Sequence, residues 1–182
     1  VAEALTEARL HPRLVAAMTA ETVGLQCHPH FGDVAAEPVT FNKCGRQGGA
    51  EAAYEWNCVM FMCLDRVAPT WFESGFGISL EGRVYTHAVW ADNFWLFAHS
   101  REHLQRMIWS LTEVLAHFKL QWKPDSLQYM STLRAAHQAP LLAFPGTPTT
   151  SAQLPITRVD NMMILGANID DAGSTLTAYR HH

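Results

Sequence analysis

Hydrophobic positions along this chain keep two different periods in different stretches. Trp56, Val59, Met60, Cys63, Leu64 and Val67 recur at spacings of three and four, which predicts a long helix over 50–67 that ends before Pro69. Leu104, Met107, Ile108, Leu111, Leu115 and Phe118 do the same and predict a second helix, capped by Ser100, with Glu102 suited to its first turn. Two shorter helices are expected over 2–9 and 13–22. Pro12 suits the start of the second, and Leu14, Val15, Met18 and Val23 lie on one side of it. Elsewhere the pattern is strand and turn. Residues 26–41 carry the breakers Pro29, Gly32-Asp33 and Pro38, and 75–84 read as a strand with a tight turn. Val84, Val89 and Trp90 lead into an Asp92-Asn93 corner, and Phe94, Trp95, Leu96 and Phe97 leave it, which predicts a buried β-hairpin. Further on, 120–130 is strand-like but broken at Pro124-Asp125, the proline-rich stretch 139–155 is a loop, 159–166 is apolar and strand-like, and 167–173 makes a second hairpin. The last residues, 174–182, look like the start of a helix.

Composition narrows the picture. The chain has 182 residues, enough for one domain with a real core, yet only 16% are charged against 48% hydrophobic. A surface so poor in charge suits a piece of a longer polypeptide or a chain that buries area against protein partners. The start at Val1, inside a helical pattern and without an initiator Met, points the same way. A formal net charge of −4 argues against tight autonomous binding of nucleic acid. No apolar run approaches the roughly 18 residues of a membrane span, and no secretory signal or basic targeting arm is present. Cys27, Cys44, Cys58 and Cys63 form no CxxC pair, so reduced thiols, and with them an intracellular setting, are the simpler expectation. Cys27-His28-Pro29-His30 offers metal-ligand side chains but lacks a fourth ligand at a recognised spacing. His99 and His103 are four apart, but His99 is expected to end a strand, so they need not share a helix face.

Two stretches carry candidate chemistry. Asp92 is the one acidic residue of its hairpin, and a carboxylate among so many aromatics is costly unless it binds something. The simpler alternative is a structural turn, because Asp and Asn side chains bond their own backbone. Upstream, Lys43-Cys-Gly-Arg-Gln-Gly-Gly49 is a polar, glycine-bearing loop opening a helix. Such a loop allows close approach of a phosphate or sugar to backbone amides, and Arg46 adds charge. A plain N-terminal turn with an exposed Arg is the alternative.

In succession these pieces resemble the palm of a reverse transcriptase of the non-LTR, LINE-like type, over nearly the whole chain. Arg46-Gln47-Gly48-Gly49 is similar to that family's RQG loop, and Trp90-Ala91-Asp92-Asn93 to its aromatic-Ala-Asp-Asp hairpin. The helix from Ser100 to Phe118 resembles the one following that hairpin. The stretch 118–125 resembles the next motif, and Ile164-Leu165-Gly166 the primer-grip hairpin. The resemblance implies an α+β fold: a small antiparallel sheet around the Asp92 hairpin with two long helices packed on one face. It implies two-metal nucleotidyl transfer with Mg²⁺ on an RNA or DNA primer-template. Asp92 would be the metal ligand, Arg46, Gln47 and Gly48 would contact template and nucleotide, and Leu165 and Gly166 would position the primer. The chain departs from the pattern in several places. Asn93 stands where the family has a second Asp, and Ala50-Glu51-Ala52-Ala53 replaces the Ser-Pro after the RQG loop. Ser126 follows Lys123-Pro124-Asp125 where a Lys is expected. The first catalytic Asp of the family belongs on a strand expected upstream of Val1. The expectation is a degenerate palm with little or no polymerase activity, or a relic domain serving as a protein-binding or scaffold element.

Overall fold

The computed structural model describes residues 1–20, 24–41, 51–132, 143–144, 154–164 and 167–172. Along the chain, α1 (Ala2–Glu7) and α2 (Pro12–Ala20) precede four short strands, β1 (Leu25–Cys27), β2 (His30–Phe31), β3 (Val34–Ala35) and β4 (Val39–Phe41). The long helix α3 (Ala52–Glu73) comes next. Two hairpins follow, β5 (Ile78–Leu80) with β6 (Arg83–Tyr85) and β7 (His87–Trp90) with β8 (Asn93–Leu96). After α4 (Arg101–His117) come a 3₁₀ turn at Pro124–Ser126 and β9 (Gln128–Tyr129). The remaining strands are β10 (Ala143–Phe144), β11 (Leu154–Pro155), β12 (Thr157–Arg158), β13 (Asn161–Ile164) and β14 (Ala167–Asp170). The fold is α+β, and among the described residues its strands pair as two-stranded ribbons. The chain forms two compact units, Val1–Glu73 with His87–Trp95, and Ser74–Thr86 with Leu96–His182.

The first unit is built on α3. Val59, Met60, Met62, Cys63, Val67 and Trp71 are buried along it. α1 packs against this helix, burying Ala4 and Leu5, and Arg66 bridges Glu3 and Glu7 at 3.1 Å each. Such exposed pairs contribute little, so the apolar contact holds α1. α2 buries none of its residues, so the apolar side expected from Leu14, Val15 and Met18 is not turned into core. Between the helices, β1 pairs with β4 outside and β2 with β3 inside, around the Gly32-Asp33 turn.

α3 corrects the expectation that its helix ends before Pro69: it continues through that proline to Glu73. A proline inside a helix removes one hydrogen bond, here to the Asp65 carbonyl, and crowds it, at a cost of about 3 kcal/mol. The extra turn brings in Trp71, which is 1% exposed. Burying so large a side chain is worth several kcal/mol, on the order of the proline's cost or above it.

The second unit is organised by α4. Ser100 Oγ accepts the His103 amide at 3.1 Å, as expected of its cap. Met107, Ile108, Leu111 and Leu115 are buried. At the other end Lys119 takes a φ of 60°, its N–H reaches the Ala116 carbonyl, and Leu120 N–H reaches the Leu115 carbonyl at 2.9 Å. This is the six-to-one and five-to-two closure that usually employs glycine. Trp122 Nε1 then donates to Thr112 Oγ1 at 2.8 Å, fastening the following segment to the helix. Tyr129 and Ile156 pack with Ile108 beside half-buried Leu104 and Trp122. In the β5–β6 hairpin, a Cβ on Gly77 (φ 103°) would meet the Tyr85 carbonyl at 2.7 Å, so only glycine fits. The second hairpin falls earlier than the expected 167–173: the strand read over 159–166 supplies β13, which pairs with β14 in register Asn161↔Asp170 to Ile164↔Ala167. Arg158 ties it at the base by pairing with both Asp160 and Asp171.

The two sides of Pro69 are separable by mutation. Trp71→Ala is expected to cost about 3–5 kcal/mol in chemical denaturation, because it empties a fully enclosed site. Phe72→Ala, at a position 50% exposed, is expected to stay within about 1 kcal/mol.

Candidate functional site

The β7–β8 hairpin turns through two residues, Ala91 and Asp92, and Asn93 is already the first residue of β8. The corner is therefore Ala91-Asp92, a one-residue correction to the expected Asp92-Asn93. Ala91 carries the positive φ, 52°. A two-residue hairpin loop needs φ > 0 at its first position to match the strand twist, and here an alanine supplies it. An L-residue in that region is strained by about 1–2 kcal/mol, so something must hold it.

The holder is Trp56. Its indole Nε1 donates to the Ala91 carbonyl at 2.7 Å. At the base of the hairpin, the Trp71 ring meets His87 edge-on, with centroids 5.9 Å apart and planes at 72°. The two tryptophans are fifteen residues apart on α3, about 22 Å of helix rise at 1.5 Å per residue. One reaches the tip and the other the base of a hairpin whose strands run only about 13 Å. Sequence periodicity placed Trp56 in the core stripe; in the structure it is half-buried and spends its polar edge on the hairpin. The available signal was chemical: an indole carries an apolar body and one donor that seeks an acceptor.

Asp92 and Asn93 are both exposed. The Asp92 carboxylate therefore needs no ligand to offset burial, because water solvates it. As a donor set the tip offers one carboxylate and one neutral amide oxygen. Mg²⁺ demands hard oxygens in octahedral geometry and is held largely by carboxylate charge, so this pair fits it poorly. Among the described residues no three His, Cys, Asp or Glu side chains gather where they would hold a metal ion. That includes Cys27, His28 and His30, all described. Arg46, Gln47 and Gly48, and likewise Leu165 and Gly166, lie outside the described residues.

Two groups escaped the sequence analysis. Glu55, 3% exposed, is a buried carboxylate in the first turn of α3, where the helix dipole favours negative charge. His87 is half-buried, and burial lowers its pKa. Burial also pushes the Cys63 thiol up to about 11, against the smaller pull of Arg66, so it stays protonated and unreactive. Cys27, Cys58 and Cys63 are free thiols. No helix among the described residues is long and apolar enough to cross a membrane. No family model matches the chain, and no curated protein matches it. The resemblance to reverse transcriptases rests on the motifs in the sequence.

Two outcomes follow from this geometry. Trp56→Phe keeps the ring and loses the donor, and is expected to cost about 1 kcal/mol by denaturant titration. Ala91→Gly relieves the strain, and the Trp56→Phe penalty is expected to shrink in that background. The second outcome is a pH effect. With the folded pKa of His87 below the unfolded value of about 6.5, the unfolded chain binds more protons between the two. Stability from this group is intact above the unfolded value and is lost as pH falls through it towards the folded one. Thermal melts at descending pH are expected to show this loss in the wild type and less of it in His87→Phe.

Proposed function

We propose that this chain is a degenerate reverse-transcriptase-like palm that has kept the motif order and lost the two-metal chemistry, and that it acts as a non-catalytic, protein-binding element. The observation that carries this reading is the hairpin tip. Asp92 stands exposed beside the neutral Asn93, and the turn takes its shape from the Trp56 hydrogen bond. Two metal ions in nucleotidyl transfer neutralise the attacking and leaving oxygens, and they are gathered by paired carboxylates. An amide at the second position removes a full negative charge where that charge matters most. Whatever precedes Val1, it does not restore the charge at position 93.

Support for a protein partner comes from α3. Tyr54, Phe61 and Phe72 are 49%, 69% and 50% exposed, and their separations place them within about 20° of one line on an α-helix surface. Large aromatics are enriched in protein interfaces and supply much of their binding energy. The net charge of −4 and the low charged fraction agree with an apolar rather than a phosphate-rich partner. The alternative is an active palm binding RNA or DNA primer-template, with Arg46, Gln47, Gly48, Leu165 and Gly166 in their family roles. The motif order alone favours it.

Single-turnover primer extension with Mg²⁺ or Mn²⁺ separates the two. The wild-type chain is expected to incorporate no more than Asp92→Ala does. Asn93→Asp is expected to bind Mn²⁺ about tenfold more tightly, equivalent to about 1.4 kcal/mol. Metal-dependent incorporation by the wild type that disappears in Asp92→Ala would overturn the non-catalytic reading.

A further inference from the structure

Among the described residues of the unit built on α4, the Tyr129 hydroxyl and the Arg101 Nε–H are enclosed donors with no acceptor. Tyr129 is 5% exposed, and its hydroxyl has no partner. Arg101, partly buried in the first turn of α4, has an enclosed Nε–H that is equally without one. The two lie together: Arg101 Cζ stands 6.0 Å from the centroid of the Tyr129 ring. Tyr129 is firmly placed. It belongs to β9, pairs with Arg158 of β12, and accepts the Val159 amide on its carbonyl at 2.9 Å. Its ring packs with Ile108 and Ile156.

Two acceptors in the first turn of α4, Ser100 and Glu102, are engaged, while His103 Nδ1 is itself enclosed without a partner. Ser100 Oγ accepts the His103 amide. The Glu102 carboxylate takes hydrogen bonds from its own amide and from Ser100. The helix N-terminus is thus already capped, and the donors in question are side chains. An enclosed polar group without a partner forfeits its hydration and gains nothing in return. When one of the pair is a guanidinium, the missing acceptor is best an anion. The planar Nε edge matches two oxygens of one group, and a charge-assisted bond outweighs a neutral one.

We propose that Arg101 and Tyr129 form a binding site for an oxyanion, a phosphate or carboxylate group. The guanidinium edge binds the oxygens and the Tyr129 hydroxyl donates to the same group. This site is independent of the Asp92 hairpin and of any polymerase activity.

The test uses the full chain. Inorganic phosphate and acetate are titrated separately at constant ionic strength, following the Arg101 Nε–H resonance by NMR and the thermal midpoint. The expected result is a saturable shift with at least one anion, and the tighter of the two identifies the ligand class. Tyr129→Phe removes only the hydroxyl and is expected to weaken that binding roughly tenfold, the worth of one hydrogen bond to a charged group. Arg101→Gln is expected to abolish it. In anion-free buffer, Tyr129→Phe is expected to melt no lower than the wild type, because the lost hydroxyl bonds nothing in the protein. No saturable shift with either anion would overturn the proposal and leave water as the partner of both groups. Equal shifts in wild type and both variants would mean an adventitious ion only. A lowered anion-free midpoint in Tyr129→Phe would show that the hydroxyl has a protein partner, which also overturns it.

Discussion

The hairpin carrying Asp92 depends on the helix α3. A two-stranded ribbon with four residues per strand is marginal in water by itself, and this one turns through a strained alanine. Trp56 at the tip and Trp71 at the base supply what the ribbon lacks. The same Trp71 explains why α3 outlasts Pro69, since the turn that the proline would end is the turn that fills the core. One helix face thereby sets both the interior of the first unit and the posture of its most suggestive side chain.

That arrangement changes what Asp92 means. A carboxylate held in an apolar setting would demand a cation. An exposed carboxylate at a turn whose shape is fixed by an indole needs none. Its neighbour Asn93, the first residue of β8, brings an oxygen without charge. The motif order and the neutral Asn93 are the two features on which the proposed reading of this chain rests. The proposed protein-binding role rests on the exposed aromatics of α3 and the charge-poor composition.

Much of the fold was legible because local and tertiary signals agree. Around α4, Ser100, Glu102 and the apolar period all point to one helix, and its start and end fall where they predict. The hairpins at Gly32-Asp33 and Glu81-Gly82 carry their turn residues openly. Legibility failed where burial outweighs local preference. Pro69 reads as a stop, but Trp71 is buried beyond it. Leu14, Val15 and Met18 read as an apolar side, but none of them is buried in α2. Ala91 and Lys119 occupy left-handed positions that sequence would assign to glycine or asparagine. At the candidate site, the type and place of the hairpin were visible, and the hydrogen bond from Trp56 was not, because a long-range donor leaves no mark in local periodicity. The Arg101–Tyr129 pair was invisible for the same reason.

The central claim is that the Asp92 hairpin is held by α3 and not by a metal ion. Amide hydrogen exchange of β7 and β8, measured with and without Mg²⁺, tests it most directly. The account predicts protection in metal-free buffer, unchanged when Mg²⁺ is added and reduced when the Trp56 donor is removed. Protection that appears only with Mg²⁺, and that persists without the Trp56 donor, would contradict it and return Asp92 to the role of a metal ligand.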